Sequence, residues 1–209
     1  MALLWVLFVL YPNPLMLTAT LARTISPTTD PGAVEELART LPSDANRIRD
    51  LVLTKYAPYD YDWNVYGVPW YFASAREVLR DKRGDCESQA ILLASLLEAK
   101  GIRHQLKMTF DHIWVDFEGK IANHMENDAI AVVERVDGSI QVKVPERFDL
   151  KRYLTIQLDA RWHPMPLERK LLLFLGLVVI CAGDLVLMVA VSWAGSLKGA
   201  RARVKRPVG

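Results

Sequence analysis

The stretch RGDCESQAILLASLLEAKG, from Arg83 to Gly101, decides the fold of this chain. From Cys86 onward its residues favour helix, and Asp85 suits the N-cap position just before them. Gly101 stands where a glycine commonly ends a helix. Apolar residues fall on nearly every side of this helix, which is typical of a helix buried in a core. The sequence therefore predicts a buried helix whose first turn carries Cys86.

The residues ahead of this helix predict shorter helices and an irregular aromatic stretch. Ser74 and Glu77 have the spacing of a capping box at the start of SAREVLRD. A further helix is expected from Asp44 to Lys55, because Ile48, Leu51 and Val52 share one side of it. Residues 23–45 are rich in Pro, Thr and Asp at their start, which indicates a linker followed by a first helix. Residues 56–72 are expected to be irregular and to cover part of the core.

After Gly101 the apolar pattern changes to a period of two, which is typical of strands. Asp137-Gly138 lies between two such runs and predicts a tight hairpin. A buried helix followed by an antiparallel sheet makes an α+β domain, expected over residues 46–160. The predicted strands cover residues 105–110, 113–117, 121–125, 129–136 and 139–144, with a last strand and a connector within 145–166.

The two ends of the chain are apolar. Residues 1–22 carry no charged side chain and predict either a signal peptide or an N-terminal membrane anchor. Residues 171–194 contain a single charge, Asp184, and are long enough to span a bilayer as a helix. Residues 195–209 form a basic tail. Because cytoplasmic flanks carry excess Lys and Arg, the tail is expected in the cytoplasm and the domain on the extracytoplasmic side.

Charge argues against one class of partner. The formal net charge is only +2, and basic residues form no stripe apart from the tail. Nucleic-acid-binding domains are usually strongly basic, so no nucleic-acid partner is expected. The expected partners are a protein or peptide substrate and, through the C-terminal helix, the membrane.

Cys86 is the only cysteine outside the predicted membrane helix, which holds Cys181. An internal disulfide in the domain is therefore impossible. A thiol in the first turn of a helix gains thiolate character from the helix dipole, and Lys82 and Arg83 are near in sequence. The negative charge of Asp85 acts in the opposite direction, because a nearby carboxylate raises the pKa of a thiol. These features predict that Cys86 is a nucleophile.

His112 is the best candidate for the base that activates Cys86. The first strand leads away from the helix and the second returns, so the start of the second strand lies near the helix N-terminus. This path favours His112 over His104, while His163 precedes the membrane helix and His124 remains open as an edge residue. A metal site of Cys86, His112 and His124 lacks a close ligand pair, so neither metal nor cofactor is expected.

A third residue should orient the imidazole ring of His112. If Glu118-Gly119 closes a hairpin, the residue opposite His112 lies near position 125 or 126. Glu126 is the preferred candidate, and Asp116 ranks lower because it lies too far along the same strand. The alternatives near Glu126 are Asn123, Asn127 and Asp128.

The run SAREVLRDKRGDCESQAILLASLLEAKGI, followed by HIWVDF, resembles the transglutaminase-like superfamily over residues 48–130. That superfamily has Gly-Asp-Cys at the start of its core helix and a His-x-Trp-Val strand after it. The resemblance implies a papain-like fold with a Cys–His–acid triad, formed here by Cys86, His112 and an acid. The superfamily's usual Asp-Pro at the third position is missing from ANHMENDAIAV.

Two functions follow from these residues. The first is a membrane-anchored cysteine enzyme that cleaves peptide or carboxamide bonds through a Cys86 thioester, with water preferred over an amine as the acceptor. The second is a non-catalytic binding or assembly module on the same fold, since fold does not fix function.

Overall fold

The computed structural model describes residues 1–109, 112–121, 133–136, 139–142 and 150–204. It contains both helix and sheet, as the sequence predicts. The helices are α1 Ala2–Leu10, α2 Pro14–Ile25, α3 Pro31–Thr40, α4 Ala45–Leu51, α5 Asp62–Val65, α6 Ala75–Asp81, α7 Cys86–Ala99, α8 Leu150–Gln157 and α9 Leu167–Val204. The strands are β1 His104–Met108, β2 Ile113–Phe117, β3 Val133–Val136 and β4 Ser139–Val142.

Helix α7 forms the centre of the core. It packs against α3, α6, β1 and β2. Its residues Ile91, Leu92, Leu96 and Leu97 are almost fully buried. The side chain of Asp85 accepts a hydrogen bond from the Ser88 backbone amide, which confirms the predicted N-cap. The predicted helix and both of its boundaries are thus confirmed.

The sheet is antiparallel with the strand order β2-β1-β3-β4. His104 pairs with Phe117 at one end of the β1–β2 ladder, and Met108 pairs with Ile113 at the other end. β3 pairs with β4 antiparallel, as the predicted hairpin requires, and Asp137-Gly138 between them lie outside the described residues. The strand expected at 121–125 lies outside the described residues.

Three further local predictions have clear outcomes. The capping box of Ser74 and Glu77 is present at the start of α6. The helix expected from Asp44 to Lys55 is found as α4, which continues as a π-helical turn over Val52–Tyr56. The last strand expected within 145–166 is wrong for residues 150–162, which are helical as α8 and a following π-helical turn. Unbranched polar residues such as Lys151, Arg152 and Gln157 favour helix there.

The chain divides into two compact units, residues 1–12 with 166–209 and residues 13–165. In the first unit the Trp5 indole nitrogen donates to the Leu172 carbonyl (3.1 Å), and Arg169 donates to the Val9 carbonyl (3.0 Å). A Cβ added to Gly176 would lie 2.0 Å from the Trp5 ring, so only glycine permits this close packing of α1 on α9.

One helical segment of the described chain, Leu167–Val189, is long and apolar enough to cross a membrane. Helices α1 and α2 pass the same test only when they are taken together as one broken span.

Helix α2 belongs to the second unit. Thr20 is fully buried, and its hydroxyl accepts from the Phe72 amide (3.3 Å). Arg23 donates to the Phe72 carbonyl (2.8 Å), the Tyr71 hydroxyl (3.3 Å) and the Glu77 carboxylate (2.8 Å). These contacts join α2 to α6 and to the segment before it.

Candidate active site

Cys86 is the first residue of α7, and its position is fixed by the residues just before it. Gly84 forms an isolated parallel bridge with Tyr59, in which Asp60 donates to the Gly84 carbonyl (3.0 Å). A Cβ on Gly84 would lie 2.3 Å from the Cβ of Ser88, which is fully buried. The Gly-Asp-Cys sequence therefore has local causes: glycine allows a close approach, and aspartate caps the helix.

The Cys86 thiol is partly buried and donates a hydrogen bond to Glu87 (Sγ–Oε2 2.9 Å). The other carboxylate oxygen of Glu87 accepts from the Trp70 indole nitrogen (3.1 Å). The backbone amide of Ile113, the first residue of β2, is near enough to lower the pKa of the thiol. Glu87 thus links the thiol to Trp70.

Burial raises the pKa of the Cys86 thiol well above its ordinary value, and the charges of Glu87 and Asp85 raise it further. The backbone hydrogen bond of Ile113 lowers it but does not outweigh these effects. The predicted help from Arg83 is reduced, because its guanidinium is paired with Asp60 (3.1 Å). At neutral pH the resting thiol is protonated, which differs from the thiolate character expected of a helix N-terminus.

Glu87 is one of three carboxyl groups that interact beneath the thiol. Burial and the charge of Glu87 raise the pKa of Asp62 to about 8. Burial, Glu87 and Asp62 together raise the pKa of Asp85 well above its ordinary value. Burial opposes ionisation of Glu87 as well, but hydrogen bonds with Asp85, Cys86 and Trp70 outweigh it and lower its pKa. The cluster therefore concentrates negative charge on Glu87 and retains protons on its two neighbours.

Asp62 enters this cluster from α5 and is only 5% exposed. One of its carboxylate oxygens accepts from the Tyr71 amide (2.7 Å). The other oxygen, Oδ1, is buried without a hydrogen-bond partner among the described residues. A buried polar atom of this kind is uncommon, and it agrees with a carboxyl group whose burial raises its pKa to about 8.

Three of the side chains are close enough together to be candidate metal ligands. One ligand atom each from Asp85, Cys86 and Glu87 lies within 4.8 Å of the other two. Carboxylate and thiolate groups are ligands of zinc. This group was not predicted from the sequence, because the metal site weighed there consisted of Cys86, His112 and His124.

His112 immediately precedes β2. Its backbone amide donates to the Thr109 hydroxyl (2.9 Å), and its carbonyl accepts from the Thr109 amide (2.7 Å). Its ring stacks on Trp114, with centroids 5.8 Å apart and planes 14° apart. His112 thus lies directly before Ile113, whose backbone amide lowers the pKa of the Cys86 thiol. Its role as the base stays a prediction.

The other site candidates have different outcomes. His104 lies at the far end of the β1–β2 ladder, and His163 pairs with Asp159 (2.9 Å). Asp116 forms an ion pair with buried Lys107 (2.8 Å). The preferred third residue and its alternatives lie outside the described residues; these are Glu126, Asn123, Asn127 and Asp128, together with His124.

The aromatic stretch contributes Trp70 to the site. From the sequence, Trp63, Tyr66, Trp70 and Tyr71 could line a substrate cleft, but packing in the core or a lid is favoured for them. Trp63 and Tyr71 are buried, as expected for core packing, whereas Tyr66 and Trp70 are partly exposed. Trp70 binds Glu87, and Glu87 itself was missed. An acidic residue next to Cys86, in the first turn of an otherwise buried helix, is the signal that could have indicated it.

Arg161, in the π-helical turn after α8, completes the surroundings of Trp70. Its guanidinium carbon lies over the Trp70 ring, 5.0 Å from the centroid. Its backbone carbonyl accepts from the Trp63 indole nitrogen (2.5 Å). Its positive charge also lowers the pKa of Asp62 against the effect of burial. A cation of the chain itself therefore lies beside the carboxyl cluster.

No protein-family model, curated protein or solved structure matches this chain.

Proposed function

We propose that this protein is a membrane-anchored, transglutaminase-like cysteine hydrolase in which Cys86 attacks a peptide or carboxamide carbonyl and His112 transfers the proton. The observation that supports the proposal is the packing of α7 on β2, which brings Ile113, the residue after His112, close enough for its backbone amide to lower the pKa of the Cys86 thiol. The membrane helix of the proposal is the Leu167–Val189 segment. The proposed orientation, which follows the basic residues of the tail, puts the domain on the extracytoplasmic side and the tail in the cytoplasm.

The proposed reaction has two steps. In the first, His112 takes the thiol proton as the sulfur attacks the carbonyl carbon, and the tetrahedral intermediate expels an amine that receives this proton. In the second, His112 deprotonates a water molecule that attacks the thioester, and the acid product leaves as the thiol is restored. The Cys86 backbone amide, in the first turn of α7, can donate to the oxyanion.

The raised pKa of the Cys86 thiol favours a second function, the non-catalytic binding or assembly module. In that case the thiol would be a small buried side chain and Glu87 its structural partner. The two functions differ in whether His112 controls the reactivity of the thiol.

Alkylation of Cys86 against pH distinguishes them. The full chain in detergent carries Cys181→Ala, so that only Cys86 reacts. We expect His112→Ala to slow alkylation at pH 7 by at least about tenfold, the effect of one pKa unit. His163→Ala is the matched control and should change nothing, because its ring pairs with Asp159 far along the chain.

Hydrolysis of a panel of peptides and carboxamides distinguishes the same two functions. Cys86→Ser should abolish turnover, and His112→Ala should reduce it by two orders of magnitude or more. Equal alkylation rates with and without the His112 ring, together with no turnover of any substrate, would leave the binding module as the function.

A further inference from the structure

We propose that the segment 150–162, which comes just before the apolar helix α9, docks on the surface of the bilayer through three leucine side chains. The inference rests on the proposed membrane anchor and goes beyond it, because it gives the domain a second contact with lipid. The partner is the boundary between headgroups and acyl chains in the leaflet on the domain's side of the membrane.

The docking surface is a leucine stripe formed by Leu150, Leu154 and Leu158. These residues are spaced four apart along α8 and the first residue of the following π-helical turn, so they lie on one side of the segment. Their exposed fractions are 59%, 51% and 52%, respectively. Single exposed leucines are common, but a row of them on one face is typical of a surface that binds a partner.

Polar, basic and aromatic residues accompany the leucine stripe. Lys151 and Thr155 are exposed beside it, and the segment carries three basic residues against one acidic residue, Asp159. Tyr153 and Trp162 are partly exposed, and both residue types are enriched at membrane interfaces. A helix that lies in the interface puts its apolar face into the acyl region and keeps its basic groups among the phosphates.

The place of the leucine stripe in the chain favours lipid over any other partner. The segment that is long and apolar enough to cross a membrane begins at Leu167, nine residues after Leu158. Nine residues reach at most about 30 Å when fully extended. The reach here is shorter, because Leu158–Trp162 is a π-helical turn. A tether of this length gives a high effective concentration at the bilayer, so even a short stripe is sufficient for docking.

The segment is joined to the rest of the domain through Arg161. The Arg161 carbonyl accepts from the indole nitrogen of Trp63 (2.5 Å), which is buried in the core. The Arg161 guanidinium lies over the ring of Trp70, 5.0 Å from its centroid. Docking of the leucine stripe therefore holds the domain, and not only a connector, at the membrane surface.

Quenching of a fluorescent label by brominated lipid tests the docking. The full chain has both native cysteines replaced by serine, carries one new cysteine labelled with nitrobenzoxadiazole, and is reconstituted in phosphatidylcholine vesicles. We expect a label at Leu154→Cys to be quenched more by lipid brominated near the headgroup than by lipid brominated at the chain ends, because an interfacial helix buries its apolar face only about 5–10 Å deep. Asp159→Cys, at an exposed polar position of the same segment, is the control and should be quenched much less.

Variants of the neighbouring residues show whether the leucine stripe causes the quenching. Leu150→Gln combined with Leu158→Gln should remove most of the quenching at position 154, because the remaining apolar surface is too small to hold the segment in the interface. Thr155→Gln, a change at an exposed residue beside the stripe, should preserve the quenching. The thermal midpoint of each variant checks that the domain is folded.

A label at Val178→Cys separates this inference from the proposed anchor, because Val178 is at the middle of the Leu167–Val189 segment. It should be quenched most by lipid brominated at the chain ends. Quenching at position 178 without quenching at position 154 would overturn the docking and leave the anchor, whereas no quenching at either position would overturn both. A label at position 154 with blue-shifted emission but no quenching would indicate a protein partner, such as a second copy of the chain, and would also overturn the docking. Since Cys86 is replaced in this chain, the result does not depend on catalysis.

Discussion

At the scale of single residues, the site is governed by the hydrogen bond between Cys86 and Glu87 (2.9 Å). A carboxylate that accepts from a thiol stabilises the protonated form, and its charge does the same. The lowered pKa of Glu87 and the raised pKa of Cys86 make transfer of the proton to Glu87 unfavourable. Glu87 therefore holds the thiol in its resting state, and the base must be another group, for which we propose His112.

Glu87→Gln should make Cys86 more reactive. The amide removes the negative charge beside the thiol, so the pKa of Cys86 should fall toward its ordinary value. Alkylation at pH 7 should accelerate about tenfold or more, since one pKa unit corresponds to a factor of ten in thiolate population. The rate against pH, measured in the Cys181→Ala chain, checks this, and an unchanged midpoint would contradict it.

Gly84→Ala should damage the site through packing. The new Cβ would lie 2.3 Å from the Ser88 Cβ, and Ser88 is fully buried and unable to move aside. We expect a loss of about 2 kcal/mol or more in the free energy of unfolding, typical of overpacking. Gly101→Ala is the control, because it has open space at φ +68° and should cost only about 1 kcal/mol. Urea unfolding of both variants measures the difference, and equal losses would count against the contact.

At the scale of elements, the ion pair of Arg23 and Glu77 joins α2 to α6. Burial opposes ionisation of Glu77, but hydrogen bonds from Tyr71 and Ser74 and the charge of Arg23 outweigh it and lower its pKa to about 2. The unfolded carboxyl titrates near 4.3. Because the folded pKa is the lower one, this stabilisation is complete above about pH 4.3 and is lost as the pH falls toward 2.

Glu77→Gln should consequently destabilise the protein in a pH-dependent way. We expect a loss of about 2 kcal/mol at pH 7, allowing for the partial exposure of the pair, and almost none at pH 2. Glu35→Gln serves as the control, since its pair with Arg39 is exposed and should contribute under about 0.5 kcal/mol. Urea unfolding at both pH values is the measurement, and a loss from Glu77→Gln that is independent of pH would refute the argument.

The elements also show what the sequence could and could not predict. Asp85, Ser74 and the α7 pattern are local signals, so the caps and the buried helix were predicted correctly. The choice of His112 rests on chain direction and stays a prediction. Trp70 contacts Glu87, which is 17 positions away, and Arg161, which is much farther along the chain. No periodicity in the sequence encodes contacts of this kind. At residues 150–162 the helix propensity of the local sequence prevails over the strand that was expected to complete the sheet.

At the scale of the whole molecule, the proposed membrane attachment rests on the Leu167–Val189 segment, which is long and apolar enough to cross a bilayer. Glycine at position 176 lets Trp5 of α1 pack directly on α9, so the N-terminal helix accompanies the first part of that segment. Helix α1 has nine residues, about 14 Å in length, which is roughly half the thickness of a bilayer core.

The proposed orientation predicts which positions a membrane-impermeant thiol reagent can label in intact cells. In a chain with both native cysteines replaced by serine, Ser43→Cys should react, because Ser43 is exposed and the domain is expected outside. Ser196→Cys, in the basic tail, should react only after the membrane is permeabilised. The reverse pattern would invert the orientation.

The hydrogen bond from the Cys86 thiol to Glu87 has a consequence for the lifetime of the protein. Oxidation of cysteine to sulfenic and higher acids begins at the thiolate and proceeds faster at exposed sulfur. A solitary thiol that is kept protonated and partly buried should survive contact with peroxide far longer than a preformed thiolate. Glu87, which keeps the resting thiol protonated, would thus also protect Cys86 from oxidation. This matters because the domain has no second cysteine that could help to restore an oxidised Cys86.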